Sequence, residues 1–153
     1  MEVRFKKWLE AKLLQPETVP IQQIGRLLNQ ALRDLKTAKA NLEIAEEATY
    51  LFAYLGMLRT GRALLFLEGV RPKGTSQHKT VVEVSRAILG PDFGDLVGRF
   101  DKMRKKRNEL TYEVGGVLSQ RDAIRALETA EEFVQKVIDG LRKKDPQLRL
   151  KLG

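Results

Sequence analysis

The segment MRKKRNELTYE at positions 103–113 combines cations, an amide and hydroxyl groups, the kinds of side chain that bind phosphate and transfer protons. Around it, apolar residues recur at the spacing of one helical face: Leu96, Phe100, Met103, Leu110 and Val114. Arg107 stands where this apolar stripe should carry one more apolar residue. On a helical wheel, polar residues border the stripe on one side, namely Arg104, Asn108, Thr111 and Tyr112. The pattern predicts a helix that presents two arginines beside its own apolar face.

Two interpretations of Arg107 follow from this position. In the first, its side chain extends from the edge of the core to a nearby carboxylate, as long cationic side chains commonly do. In the second, the stripe opens onto a second copy of the chain, and the guanidinium binds a phosphate in a shared cleft through two parallel hydrogen bonds. A cleft of that kind avoids the cost of an unpaired buried guanidinium. The residues alone leave both interpretations open.

A second basic segment, VRPKGTSQHK at positions 70–79, begins in a loop according to its glycine and proline content. Six residues of this segment and of the 103–113 segment are candidates for contacts with an RNA backbone: Arg71, Lys73, His78, Lys79, Arg104 and Lys105. His78 is the only histidine in the chain, and hence the only imidazole that can transfer protons near neutral pH. The alternative for His78 is a packing or helix-capping role.

The net charge of +8 over 153 residues favours a polyanion as partner. The chain has no cysteine, which excludes disulfides, thiolate catalysis and cysteine-based zinc sites. A single histidine leaves no material for a histidine-rich metal site, and the acidic clusters at 43–47 and 128–132 are typical of solvated helix faces. No glycine-rich turn between a strand and a helix is present to cradle a nucleotide. We therefore expect neither a metal nor a cofactor.

The length fits a single domain over residues 1–153. The amino terminus has no apolar run long enough for a signal peptide, and no stretch approaches 18 consecutive apolar residues. These features predict a cytoplasmic protein that does not associate with a membrane.

Helical periodicity predicts an all-α, up-and-down bundle of about five helices, with residues 21–140 as its core. The predicted elements are an N-terminal helix within 1–16, helices at about 21–42, 44–68, 78–89 and 93–114, and a last helix followed by a basic tail at 141–153. The helix at 44–68 is apolar over much of its circumference, so we expect it to be central. Asp92 is the predicted N-cap of the helix at 93–114, Gly115-Gly116 is its predicted end, and Ser119 with Asp122 predicts a capping box.

With these elements in place, the sequence resembles the HEPN domains, helical bundles that usually form homodimers. The family's hallmark is an arginine in the penultimate long helix, often followed by a polar residue, and then a histidine after four to six further residues. Arg107 and Asn108 match the first two positions. The long central helix, the loop after it and the short helix opened by His78 and Lys79 also match, so the resemblance covers about residues 21–140. The chain departs from the motif at Tyr112, which stands in place of the histidine.

The resemblance implies RNA as partner and, for many family members, metal-independent cleavage at the dimer cleft, as in toxins of toxin–antitoxin pairs. There the ribose 2′-hydroxyl attacks the adjacent phosphate. Arg107 would stabilise the phosphorane and Asn108 would orient the arginine or the substrate. Tyr112 is a poor base at neutral pH, because a phenol has an ordinary pKa of about 10.

Three hypotheses therefore remain for the function. The first is an RNA-binding homodimer that cleaves RNA through Arg107, Asn108 and Tyr112. The second is a catalytically inactive module that binds nucleic acid or a nucleotide, or that receives a partner such as an antitoxin or a nucleotidyltransferase. The third is a purely structural bundle in which Arg107 forms an ion pair at the edge of the core.

Overall fold

A computed structural model describes residues 3–112 and 117–148 of the chain, with the side chain of Tyr112 excepted. It confirms the predicted all-α bundle. The described elements follow in this order: a 3-10 helix Val3–Phe5, α1 Lys6–Glu10, β1 Leu14–Pro16, α2 Ile21–Ala40, α3 Glu46–Leu67, β2 Val70–Pro72, α4 Gln77–Leu89, a 3-10 helix Pro91–Phe93, α5 Gly94–Tyr112 and α6 Gln120–Lys144.

The helix α3 is the centre of the bundle, as its apolar composition predicts. It packs against α2, α4, α5 and α6, and buried side chains lie on several of its sides. Small residues allow this crowding: a Cβ atom at Gly56 would lie 3.2 Å from the Ala31 carbonyl oxygen on α2. The helix α3 therefore touches both α4, which carries His78, and α5, which carries Arg107.

The N-terminal segment differs from the predicted helix over 1–16. The helix α1 ends at Glu10, Lys12 has a positive φ of 60°, and β1 pairs antiparallel with β2, which lies in the segment predicted as a loop. These strands are only three residues long and each ends in proline, so they give no alternating pattern for a sequence to show. The buried indole of Trp8 donates a hydrogen bond of 3.2 Å to Glu83, which ties this segment to α4.

The predicted helix ends are right in part. Asp92 is not an N-cap, because Pro91 starts a 3-10 helix that includes Asp92 and α5 begins only at Gly94. The capping box of α6 is confirmed, with reciprocal hydrogen bonds of 3.0 and 3.1 Å between Ser119 and Asp122. The tail predicted from 141 is helical up to Lys144. Gly115-Gly116 and residues 149–153 lie outside the described residues.

The apolar stripe of α5 faces the core of its own protomer. Leu96, Phe100 and Met103 are buried there, and Leu110 packs against the same core. Of the two alternatives for the stripe, the structure therefore supports a core face, while Val114 lies outside the described residues. Among the helices of the described residues, none combines the length and the apolar character needed to cross a bilayer.

Candidate functional site

Five side chains from three helices interact near the N-terminal end of α4, through one hydrogen bond and through their charges. Tyr54 and Arg62 come from α3, His78 from α4, and Arg104 and Arg107 from α5. Burial of the His78 ring, together with the charges of Arg107, Arg62 and Arg104, lowers the pKa of His78 from 6.5 to about 4. The charges of these three arginines therefore act on one partly buried imidazole. We call Arg62, Arg104 and Arg107 the arginine cluster.

A hydrogen bond joins the aromatic residues of the site. The Tyr54 hydroxyl lies 3.0 Å from His78 Nδ1, and the two ring centres are 5.8 Å apart. Tyr54 is buried and also packs against Phe100 of α5. Burial raises the pKa of Tyr54 well above its usual value of 10, although the charges of Arg107, Arg104 and Arg62 act in the opposite direction. At neutral pH the phenol and the imidazole are therefore both uncharged.

Arg104 is fixed by a carboxylate of its own helix. Its Nε and Nη2 atoms both lie 2.9 Å from Asp101 Oδ1, and its side chain is 14% exposed. Burial raises the pKa of Asp101, but hydrogen bonds and charge from Arg104 and Lys105 outweigh this, so that its pKa is lowered overall. Asp101 thus stays ionised at neutral pH and holds Arg104 in one orientation.

Arg107 is partly buried, and its Nη1 atom donates a long hydrogen bond of 3.5 Å to Asn108 Oδ1. The neighbouring amide therefore touches the guanidinium that the sequence singles out. Tyr112, the third residue of the predicted motif, ends α5, and its side chain lies outside the described residues.

Sequence reasoning missed Arg62 and the hydroxyl of Tyr54. Within the part of the chain that the structure describes, no carboxylate lies within 4.0 Å of the Arg62 guanidinium. Burial lowers the pKa of Arg62; nearby Tyr54 raises it, and the charges of Arg59 and Arg71 lower it further. The sequence did offer one signal for Arg62, namely an arginine within a helix that is predicted to be covered on several sides. It was ambiguous, because Arg59 on the same helix is paired with the buried Asp34.

The remaining predicted contacts lie further out. Arg71 is exposed on β2, close enough to Arg62 for its charge to act there. Lys73 follows β2, and its backbone N–H donates a hydrogen bond of 3.0 Å to the Leu13 carbonyl. Lys79 is exposed, with Nζ 3.9 Å from Glu83, and Lys105 is exposed at 3.4 Å from Asp101. These lysines and Arg71 are not among the residues whose charges act on His78.

A separate groove of about 850 Å³ runs between α5 and α6. Its floor includes Tyr50, whose pKa is raised to about 12 by burial and by the charges of Asp122 and Glu109. Its walls carry charges of both signs: Arg99, Lys102, Lys106, Arg125, Asp122, Glu128 and Glu132. Because it carries charges of both signs, this groove is a weaker candidate for binding a polyanion than the arginine cluster is.

In a comparison with protein families, the model of the HEPN domain matches residues 24–143. A search of curated proteins gives no match. The matched region contains the arginine cluster, Tyr54 and His78, while α1 and β1 precede it. Among the described residues, no group of three or more histidine, cysteine, aspartate or glutamate side chains is arranged to hold a metal ion.

Proposed function

The chain belongs to the HEPN domain family, and on that premise we propose that it binds RNA at the arginine cluster and cleaves it without a metal. The observation that carries the proposal is that the charges of Arg62, Arg104 and Arg107 act together on an uncharged imidazole that is hydrogen-bonded to a phenol. Three guanidiniums in a partly buried site form an anion-binding site, and a phosphodiester is the anion that RNA presents repeatedly.

The proposed reaction is a transesterification within RNA. The ribose 2′-oxygen attacks the adjacent phosphorus, the bond to the 5′-oxygen breaks, and a 2′,3′-cyclic phosphate and a 5′-hydroxyl result. Arg107 binds the scissile phosphate and stabilises the charge that develops on the phosphorane, with Asn108 orienting its guanidinium. Arg104, held by Asp101, supplies a second fixed cation. Preorganised cations of this kind stabilise a transition state without moving.

We propose that the active form is a homodimer in which a second copy covers the site and lengthens the basic surface for RNA. Family membership supports this assembly, while the burial of the α5 stripe within one protomer gives it no support. A toxin with this site would need an antitoxin or nucleotidyltransferase partner that controls access to the arginine cluster.

A second candidate function is favoured by Tyr112, which replaces the histidine of the family motif. In this alternative the protein binds nucleic acid or a nucleotide at the same cations but does not cleave it. Peripheral residues such as Arg71 and Lys79 would then serve affinity alone.

An assay on a mixed RNA pool with a chelator present separates the two candidates. Wild-type protein is compared with Arg107→Ala and with Arg26→Ala, which removes an exposed arginine on α2. We expect wild type and Arg26→Ala to bind and cleave, and Arg107→Ala to lose both. Binding without cleavage by wild type would favour the inactive module. Equal binding by all three proteins would contradict a phosphate site at Arg107.

A further inference from the structure

We propose that His78 accepts the proton of the attacking 2′-hydroxyl, and that Tyr54 is the positioning residue that holds the His78 ring. This inference rests on the proposed cleavage of RNA. It assigns a base to a chain that has Tyr112 where the family motif has a histidine. It places the base on α4, a different helix from the one that carries Arg107.

The two ring nitrogens of His78 have different environments. Nδ1 is 3.0 Å from the Tyr54 hydroxyl, whereas Nε2 forms no hydrogen bond with any residue of the two described ranges, 3–112 and 117–148. Nε2 is not fully buried either: among the described residues, the Ser85 hydroxyl is the only fully buried side-chain polar atom without a hydrogen-bond partner, so an unpartnered Nε2 keeps some contact with solvent. When Nδ1–H donates to the Tyr54 oxygen, Nε2 carries the free lone pair that a base requires.

A capping role does not explain the position of His78. The helix α4 begins after Ser76, which forms no side-chain capping bond, and the hydrogen bond of His78 goes across to α3 instead of to the backbone of α4. The histidine is held by a buried phenol on the central helix, which fixes the ring against a rigid element.

The proton and electron balance of the step is simple. Nε2 takes the proton of the 2′-hydroxyl as the O2′–P bond forms, and the imidazole becomes imidazolium. The P–O5′ bond breaks, and the leaving 5′-oxygen takes a proton from water. The imidazolium then returns its proton to solvent, so that no oxidant, reductant or further reactant is consumed.

The charges around the ring link its basicity to the bound phosphate. The ring is hydrogen-bonded to Tyr54 of α3 and feels the charges of Arg62 from α3 and of Arg104 and Arg107 from α5, with Asp101 beside Arg104. Further out lie Lys79 and Glu83 of α4, which are 3.9 Å apart, and Arg71 on β2, close to Arg62. In the absence of an anion the arginines disfavour a proton on His78. A phosphodiester between the guanidiniums offsets their charge, so the imidazole becomes a stronger base once substrate is bound.

Because His78 is the only histidine, its ring Hε1 signal is directly assignable by NMR. The titration is followed in free protein and with an oligonucleotide that lacks the 2′-hydroxyl and so cannot react. We expect the pKa of His78 to rise by about one unit or more on binding. Tyr54→Phe should change the ring ¹⁵N shifts, since it removes the hydrogen bond to Nδ1. An unchanged His78 pKa in a saturated complex overturns the inference.

Cleavage rates provide the second test. We expect His78→Gln to lower the cleavage rate about 100-fold and Tyr54→Phe about 10-fold, with oligonucleotide affinity within about threefold of wild type. Melting temperatures verify that each variant is folded, and Arg26→Ala is the control. If wild type binds and cleaves but His78→Gln cleaves equally fast, the inference fails while the proposed function stands. If wild type binds without cleaving, the base role and the nuclease function both fail.

Discussion

Gly61 on α3 and Val81 on α4 hold the two helices in close contact: a Cβ atom at 61 would lie 2.6 Å from Val81 Cγ1. Arg62 follows Gly61 in the chain, and His78 lies one turn before Val81. This contact therefore holds together the two helices that carry Arg62 and His78.

Gly61→Ala should destabilise the fold by about 1–3 kcal/mol, because the added methyl group overpacks a filled interface. It should also weaken the Tyr54–His78 hydrogen bond, which the His78 NMR signal reports. The matched control is Gly140→Ala on α6, where no atom lies within 4 Å of the added Cβ. That change should be neutral or stabilising by up to about 1 kcal/mol in denaturant unfolding. Equal stability of the two variants would contradict the close packing.

Asp34→Ala should lower the free energy of unfolding by about 3 kcal/mol, because it leaves a partly buried guanidinium without its partner. Asp34 is 3% exposed, and its Oδ1 accepts a hydrogen bond of 2.6 Å from Arg59. Glu132→Ala, which breaks an exposed pair with Lys136, should cost less than about 1 kcal/mol. RNA affinity should be unchanged in both, since Arg59 serves the fold. A loss of affinity in Asp34→Ala with its fold intact would place Arg59 in the site.

The helices could be predicted because their signals are local. Apolar spacing places α2, α3, α4 and α6 within a few residues of their observed bounds, and the Ser119–Asp122 box fixes the start of α6. The pairing of β1 with β2 could not be predicted, since it depends on backbone hydrogen bonds between residues far apart in the chain. Helical spacing also says that a stripe is buried, without saying whether its own chain or another covers it.

The functional site could likewise be predicted only in part. Residue type and motif predict Arg104, Arg107 and His78, and in the structure the charges of both arginines act on the imidazole. Arg62 could not be separated from Arg59 by sequence, because only the packing of α2 against α3 shows which one meets a carboxylate. The role of the Tyr54 hydroxyl could not be predicted, because the ring of Tyr54 packs against Phe100 like any core aromatic residue, while its oxygen also reaches His78.

Stability should fall as the pH drops from about 6.5 towards 4. His78 has a folded-state pKa of about 4 against 6.5 when unperturbed, so within this window the unfolded chain binds more protons. The free energy of unfolding is therefore highest above about pH 6.5, falls as the pH drops through the window, and levels off below about pH 4. After allowance for solvent screening we expect a loss of about 1–2 kcal/mol.

His78→Gln is the control for this titration, and its stability should depend less on pH over the same window. The carboxyl groups of Asp101 and Asp122 have lowered pKa values in both proteins, so the difference between the two proteins reports His78. Denaturant unfolding at pH 7 and pH 4.5 measures both proteins. If the free energy of unfolding fell by the same amount in both proteins between pH 7 and pH 4.5, His78 would not be shielded from protons.

Arg62→Gln should weaken RNA binding at every sequence tested and reduce the slope of log affinity against log salt by about one, as the loss of one phosphate contact does. The fold should be little affected, because no described carboxylate pairs with Arg62. Arg26→Gln on α2 removes the same charge from an exposed position and should leave the slope closer to that of wild type. Equal slopes for the two variants would place Arg62 outside the RNA contact.

Tyr112→His should raise the rate of RNA cleavage about 10-fold, because an imidazole at the motif position titrates near neutral pH while a phenol does not. The same change should partly restore cleavage in His78→Gln protein, since it supplies a base from α5 when the base from α4 is absent. RNA affinity should stay constant, because the arginine cluster carries the phosphate contacts. Tyr112→Phe is the matched control and should not raise the rate. The measurement is single-turnover cleavage with a chelator present. Unchanged rates in both backgrounds, with RNA bound, would show that position 112 does not face the scissile phosphate.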